Sequence, residues 1–437
     1  MLSAFRSALA TPDLRRKILF TLGMLVVYRL GATLPAPGVS YANVQKCIKV
    51  VSDQGGVYTL LNLFSGGALL QLSIFALGIM PYITASIIIQ LLTVVIPRFE
   101  QLRKEGQAGQ NKLTQYTRYL TVALAILQST GIVALAVRGQ LFQNCTDPVI
   151  PDSSVFSLIV VVVTMTAGTA VIMWLGELIT ERGVGNGMSL LIFTSIAARI
   201  PAEGKTILGH GGVTFAVICV FGLAIIASVV FVEQAQRRIP VQYAKRMIGR
   251  RMYGGTSTYL PLKVNQAGVI PVIFASSLLY LPDLVSRLAT SQGGNAPWWQ
   301  TFIQQYLVAP SNYVHISLYF ALIIFFTYFY VAITFNPDER ADEMKKFGGF
   351  IPGIRPGRPT AEYLSFVLNR ITLPGSIYLG LIAVLPNFFI DITGQGGSSN
   401  NFPFGGTAVL IMVGVGLDTV KQIESQLMQR NYEGFLR

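Results

Sequence analysis

The sequence predicts an all-α polytopic membrane protein, and three observations carry that prediction. Only 12% of its 437 residues are charged while 52% are hydrophobic, whereas a soluble domain carries about 25% charged residues. The apolar residues run in long stretches, many of them near the roughly 20 residues that a helix needs to cross a bilayer. The basic residues are sorted onto alternate connections between those stretches, the pattern of a multi-pass chain. Together these features exclude a soluble domain, a coiled coil and a disordered protein. The 42 glycines suit close helix contacts in lipid. With two histidines and three cysteines, no metal site and no cofactor are expected.

Ten transmembrane helices are predicted. The first five lie at 18–36, 74–96, 118–138, 155–177 and 187–202, and the second five at 213–234, 267–288, 313–335, 371–391 and 405–420. The fifth and tenth are short. Stretch 18–36 follows Arg15, Arg16 and Lys17 like a signal peptide, but it lacks a small-residue cleavage site and contains Arg29, so it reads as a retained span. Of 33 basic residues, 26 fall in 1–17, in the tail 421–437 and in alternate connections, against six on the other side. That asymmetry places both termini in the cytoplasm.

Two cytoplasmic connections exceed what topology requires. Residues 235–266 hold seven basic groups and no acid, and 336–370 hold six basic and five acidic groups around a glycine- and proline-rich centre. Anchoring needs only a few charges near the membrane, so both loops read as docking surfaces for RNA phosphates or an acidic protein. Anionic lipid headgroups compete for the same charges. On the external side, Leu60 to Leu70 is apolar, too short to span and broken by Gly66 and Gly67. It is either a folded-back helix or an outward extension of the second span.

A repeat points to a site. Gly78-Ile79-Met80-Pro81-Tyr82-Ile83-Thr84-Ala85-Ser86 aligns with Gly268-Val269-Ile270-Pro271-Val272-Ile273-Phe274-Ala275-Ser276, five of nine positions matching. A weaker pair aligns Gly187 to Ile192 with Gly406 to Ile411. The paired spans run in opposite directions, which suggests two inverted five-helix halves, 18–202 and 213–420. In such folds, glycine- and proline-interrupted spans mark the functional site at the midplane. Here they place Ile83 with Ile273 and Ile192 with Ile411, without an ionisable group among them. An apolar ring can seal a pathway by dewetting; ordinary helix packing by isoleucine is the alternative. Arg29 is the charge set deepest in a span.

The sequence offers no catalytic site: it has no P-loop, no HExxH, no Gly-x-Ser-x-Gly and no clustered carboxylates facing a cavity. Cys47 and Cys145 both fall on the external side, where disulfides persist, and are an expected pair.

Several stretches resemble the SecY family, channel subunits of the bacterial general secretion translocon. They include Leu63-Phe64-Ser65-Gly66-Gly67-Ala68-Leu69, Gly176-Glu177-Leu178-Ile179-Thr180-Glu181-Arg182-Gly183, Tyr243-Ala244-Lys245-Arg246 and Phe350-Ile351-Pro352-Gly353-Ile354-Arg355-Pro356-Gly357. The resemblance runs nearly end to end, and the tail from Glu424 and the cysteine pair resemble actinobacterial members. It implies an hourglass pore whose waist is Ile79, Ile83, Ile192, Ile273 and Ile411. It implies a plug helix over 58–70, with Leu63, Phe64, Ser65, Gly66 and Gly67 at its centre. A lateral gate between the second and the seventh to eighth spans would carry Gln90, Gln128 and Asn265. Arg250, Arg251 and Arg355 would dock the SecA ATPase and the ribosome. Implied partners are SecE and SecG, accessory SecDF and YidC, and secretory and membrane protein substrates; the implied location is the bacterial plasma membrane. The external segment 289–312 has no assigned role. A ten-span solute transporter and a non-conducting ribosome scaffold are the competing functions. The first lacks a polar solute site, and the second leaves the broken spans unused.

Overall fold

The computed structural model describes residues 11–51, 65–139, 141, 145, 148–201, 204, 208, 212–243, 246–248, 251–253, 257–288, 297–308, 312–392 and 406–434. A helix occupies some part of each of the ten apolar stretches. In the first five stretches these are α1 (Pro12–Thr33), α3 (Met80–Val95), α5 (Gln107–Val137), α6 (Val155–Arg182) and α7 (Gly187–Ala197). In the other five they are α8 (Gly212–Gln234), α9 (Ile270–Leu288), α11 (Tyr313–Thr334), α13 (Arg358–Ile392) and α14 (Gly406–Gly434). Short helices join them: α2 (Tyr41–Val51), α4 (Pro97–Lys104), α10 (Trp298–Phe302) and α12 (Pro337–Lys346). Among the described residues, five helical segments are long and apolar enough to cross a membrane, and a sixth if α3 and α4 count as one. Those two meet at Ile96–Pro97 with a 99° bend, because Pro97 cannot continue the hydrogen-bond ladder of α3.

The long helices bury one stripe and expose apolar residues on the other. In α1, Leu14, Thr21, Tyr28 and Ala32 face inward, while Leu19, Leu22, Val26 and Leu30 are exposed. An outward apolar face of this kind suits lipid rather than water. Helices α5, α13 and α14 run beyond their apolar stretches, α5 by 11 residues at its start and α13 by 13. Hydropathy ends there, but Gln107 to Thr117 and Arg358 to Arg370 are mostly good helix formers, so the helices extend past the apolar stretch.

Two expectations need correction. The chain is not all helical: β1 (Gln236–Tyr243) pairs antiparallel with β4 (Ser257–Lys263) and β5 (Gly349–Phe350), and β2 (Arg246–Ile248) pairs with β3 (Arg251–Tyr253). Residues alternate along β1, so Ile239 and Val241 turn inward. Ile239 and Leu262 pack on Val331 of α11 and on Leu364 and Val367 of α13, which buries one face of the sheet. Loop 235–266 is thus a folded ribbon joined to loop 336–370. The second correction concerns 65–79, which is a succession of turns rather than a helix or the first part of a span. Positive φ angles at Gly66, Gly67, Leu72 and Gly78 interrupt any helix there. Leu63 and Phe64 of the expected plug lie outside the described residues, as does Arg250.

On the side of α2, Val44 and Cys47 bury one helical face, and Cys47 is disulfide-bonded to Cys145 with a Cα separation of 5.5 Å. The bridge ties α2 to the connection between α5 and α6.

Candidate functional site

The repeated motif produces the same local structure twice. Gly78 and Gly268 hold φ angles of 56° and 62°, a region open to glycine and costly for other residues. Two residues later α3 and α9 begin, each with its motif proline, Pro81 or Pro271, in the first turn, where a missing N–H costs nothing. The first helical hydrogen bonds then match, Ile83 N–H to Ile79 O at 3.1 Å and Ile273 N–H to Val269 O at 3.4 Å. Each glycine–proline device therefore starts a helix at the same place relative to its isoleucine.

These isoleucines converge. Ile79, Ile192, Ile273 and Ile411 are buried in one apolar cluster, and half-buried Ile83 packs against it. The cluster draws on α1, α3, α6, α7, α9 and α14, and on Ala68 and Phe75 of the turned segment. Helix α7 is positioned by Asn186, whose Oδ1 accepts from Met188 N–H at 3.1 Å. Gly187 lets α7 touch α6, since a Cβ there would lie 2.0 Å from the Gly176 carbonyl oxygen.

Ile83, Ile192, Ile273 and Ile411 also line a cavity of about 610 Å³. Its other walls are mostly polar, among them Gln90, Asn111, Thr114 and Glu181. One charge pair faces it: Arg118 of α5 donates to both carboxylate oxygens of Glu177 of α6, at 2.9 and 2.7 Å. Bidentate pairing of this kind cancels charge while fixing two helices in register. A second cavity of about 540 Å³ shares Asn186, Ser189 and Tyr330 with the first. It holds Glu233, which accepts from Asn265 Nδ2 at 2.9 Å, and the Lys263–Asp418 ion pair at 3.1 Å.

The expected gate residues are not brought together as a group. Gln90 lines the first cavity, Asn265 lines the second, and Gln128 is buried on α5 and lines neither. Their helices do meet, since α9 packs on both α3 and α5. Of the expected plug, Ser65 is buried, Gly66 accepts from Arg29, and Gly67 completes the turn into the cluster. Arg355 is exposed on the turn after β5, and Arg251 belongs to β3. Sequence reasoning missed the partners of Glu177 and Glu233.

The SecY family model matches residues 73–420. The chain belongs to the SecY family. Protein translocase subunit SecY of Mycobacterium tuberculosis is 72% identical over 442 residues, covering 100% of both chains. The Streptomyces coelicolor protein of the same description is 65% identical over 444 residues, also covering 100% of both. The expected actinobacterial resemblance is borne out by these relatives. A solved structure described as a protein conducting channel superposes with a TM-score of 0.64 at 20% identity, over 94% of this chain and 91% of that one. Sec61 in a canine ribosome–channel complex superposes with a TM-score of 0.62 at 19% identity, with the same coverage. Those two show the shared fold, and the relatives carry the function. This SecY-family membrane protein is a protein translocase subunit.

Proposed function

We propose that the isoleucine cluster is the constriction of the pore and that the polar cavities are its cytoplasmic vestibule. The observation that supports this best is the gathering of Ile79, Ile83, Ile192, Ile273 and Ile411 from four helix starts into one cluster, four of them also lining one cavity. In this reading the chain crosses the bacterial plasma membrane ten times as two inverted halves, with both termini in the cytoplasm. A compliant aliphatic collar moulds around a moving chain and excludes ions by dewetting, and it offers no polar group that would hold the cargo. The turned segment 65–70, with the residues before it, is the plug. The contact of α3 and α5 with α9 is the lateral gate, bordered by Gln90, Gln128 and Asn265. A sufficiently apolar segment parts this seam and enters lipid, favoured by about 0.3–0.6 kcal/mol per Leu, Ile, Phe or Val at mid-bilayer.

The ribbon β1–β4 and the turn bearing Arg355 dock the motor or the ribosome. The exposed basic side chain of Arg355 and the sheet that joins both loops support one surface rather than two. The chain does no chemistry itself in this reading, so the driving force comes from SecA or the ribosome, with SecE and SecG completing the channel. The test is a photoreactive residue at Ile83 and a secretory chain arrested halfway. An adduct that needs both a signal sequence and a motor or ribosome supports the pore. Adducts only from Arg250 or Arg355 would reduce the chain to a docking scaffold.

A further inference from the structure

Arg29 is the single charged residue in the apolar part of α1. A charge at that depth is expensive, faces the protein interior and marks a functional position by default. Among the described residues its guanidinium meets no carboxylate. Nη1 donates instead to the carbonyl oxygen of Gly66, at 3.1 Å. Gly66, at φ 67°, is a corner of the turned segment. It sits wedged, because a Cβ there would lie 2.9 Å from Arg29 Nη1 and 3.1 Å from Cα of Ser195 in α7. Ser195 is held in turn by α1, through a 2.6 Å hydrogen bond with the buried Tyr28 hydroxyl, and it lies one turn beyond Ile192.

Two parts of the turned segment are held to α1 differently. Its later part is tied to the end of α1 through backbone groups, Ala36 N–H to Leu72 O at 3.0 Å and Ile74 N–H to Leu34 O at 2.9 Å. Phe75 is stacked on Tyr28 and fills the space opposite Gly31. The Gly66 corner is joined to α1 by the Arg29 side chain. Backbone ties fix the later part to α1, so the Gly66 corner is the part whose hold on α1 is changed when the guanidinium lets go.

We propose that Arg29 is a latch that holds the Gly66 corner against α7 in the closed channel and so sets how strong a signal must be to open it. The proposal rests on the pore reading above. It names the contact that a cargo must break, one carbonyl–guanidinium bond whose donor can turn to other carbonyls or to water once the pore wets.

The test uses the full channel in membranes, with Ser65→Cys as a reporter, since Ser65 is buried in the closed state at 2% exposure. Labelling by a membrane-impermeant maleimide is measured without substrate, beside export of a substrate with a defective signal. Arg29→Met is expected to raise the labelling rate about tenfold or more, the loss of one charged hydrogen bond, and to raise export of the defective substrate. Gly66→Ala keeps the charge, forces a Cβ into Arg29 and Ser195 at φ 67°, and is expected to do the same. Parental labelling and parental stringency in both variants would overturn the latch. If Arg29→Met fails to accumulate, Gly66→Ala decides alone. A missing Ile83 adduct in the parent would sink the pore reading, while the resting labelling rates would still answer for the latch.

Discussion

Replacing Ile273 by asparagine separates a pore constriction from an ordinary core. Ile273 is 4% exposed within the cluster, so the closed state loses its burial, about 1.5–3 kcal/mol. The amide has no polar partner among Ile79, Ile192 and Ile411, which adds about 1–3 kcal/mol. The sum disfavours the closed arrangement by roughly a hundredfold to ten-thousandfold at 1.4 kcal/mol per decade. An open, wet collar hydrates the amide and escapes most of this penalty. The same change at Ile83 acts on a residue that is half-buried beside the cavity, so its effect is smaller. Ile273→Val keeps the surface apolar and costs about 0.5–1.5 kcal/mol. The assay is resting ion conductance of the reconstituted channel in planar bilayers, beside thermal unfolding of the same protein. The expected order is Ile273→Asn above Ile83→Asn above Ile273→Val. A lowered unfolding midpoint with unchanged conductance in Ile273→Asn would show a plain core residue and refute the constriction.

Four further outcomes follow from the structure. Glu177→Gln leaves Arg118 uncompensated, and with the pair 19% and 43% exposed the loss is expected to be about 1–2 kcal/mol; a double-mutant cycle with Arg118→Gln should recover much of it. Replacing Cys47 and Cys145 by serine opens a loop of 98 residues, for which chain entropy predicts up to about 5 kcal/mol, read as a lower unfolding midpoint. Gly168→Ala puts a Cβ 2.0 Å from the Ile74 carbonyl oxygen, so α6 must move off the turned segment; thermal unfolding is expected to drop by about 1–3 kcal/mol. With Trp174→Phe, emission comes from Trp298 and Trp299 alone, and because Trp298 is 81% exposed in an uncharged segment, lipids brominated near the headgroup should quench it more than lipids brominated at the chain ends.

What could be read from sequence follows from how local each cause is. Hydropathy reports burial in lipid residue by residue, so a helix appears in each apolar stretch. The boundaries drifted where a helix leaves the apolar region without changing its backbone, as at Gln107 and Arg358. The glycine–proline device was legible because both of its residues act within one turn of the isoleucine they position. Ile239 and Leu262 were not recognised as strand residues because seven basic side chains mask the alternation and the helices that cover them lie far along the chain. The partners of Glu177 and Glu233 stand 59 and 32 positions away, and a separation of that kind has no periodic signature. Leu72 at φ 44° is the opposite case: nothing in its own chemistry favours that geometry, which is set by the backbone ties around it.

On the proposed reading of the isoleucine cluster as a pore constriction, one constraint arranges the charges and the isoleucines. A channel for unfolded chains must accept any side chain, so its narrowest part cannot offer a hydrogen bond or a fixed charge that some cargo would satisfy too well. Leaving ionisable groups out of the collar achieves that but removes the usual means of holding helices in register. The structure meets the difficulty with polar ties one level away from the cluster: ion pairs of Arg118 with Glu177 between α5 and α6 and of Lys263 with Asp418 between β4 and α14, and a hydrogen bond from the neutral Asn265 to Glu233 between α8 and the entry to α9. Each tie joins an element to a neighbour at a cavity wall, and the two ion pairs cancel their own charge. Arg29 stands apart because its partner is a backbone dipole rather than a carboxylate. A carboxylate partner would hold the corner more tightly, and a neutral donor would hold it less. The intermediate strength of a charge–carbonyl bond suits the proposed latch, which would keep a resting channel shut and still yield to a signal.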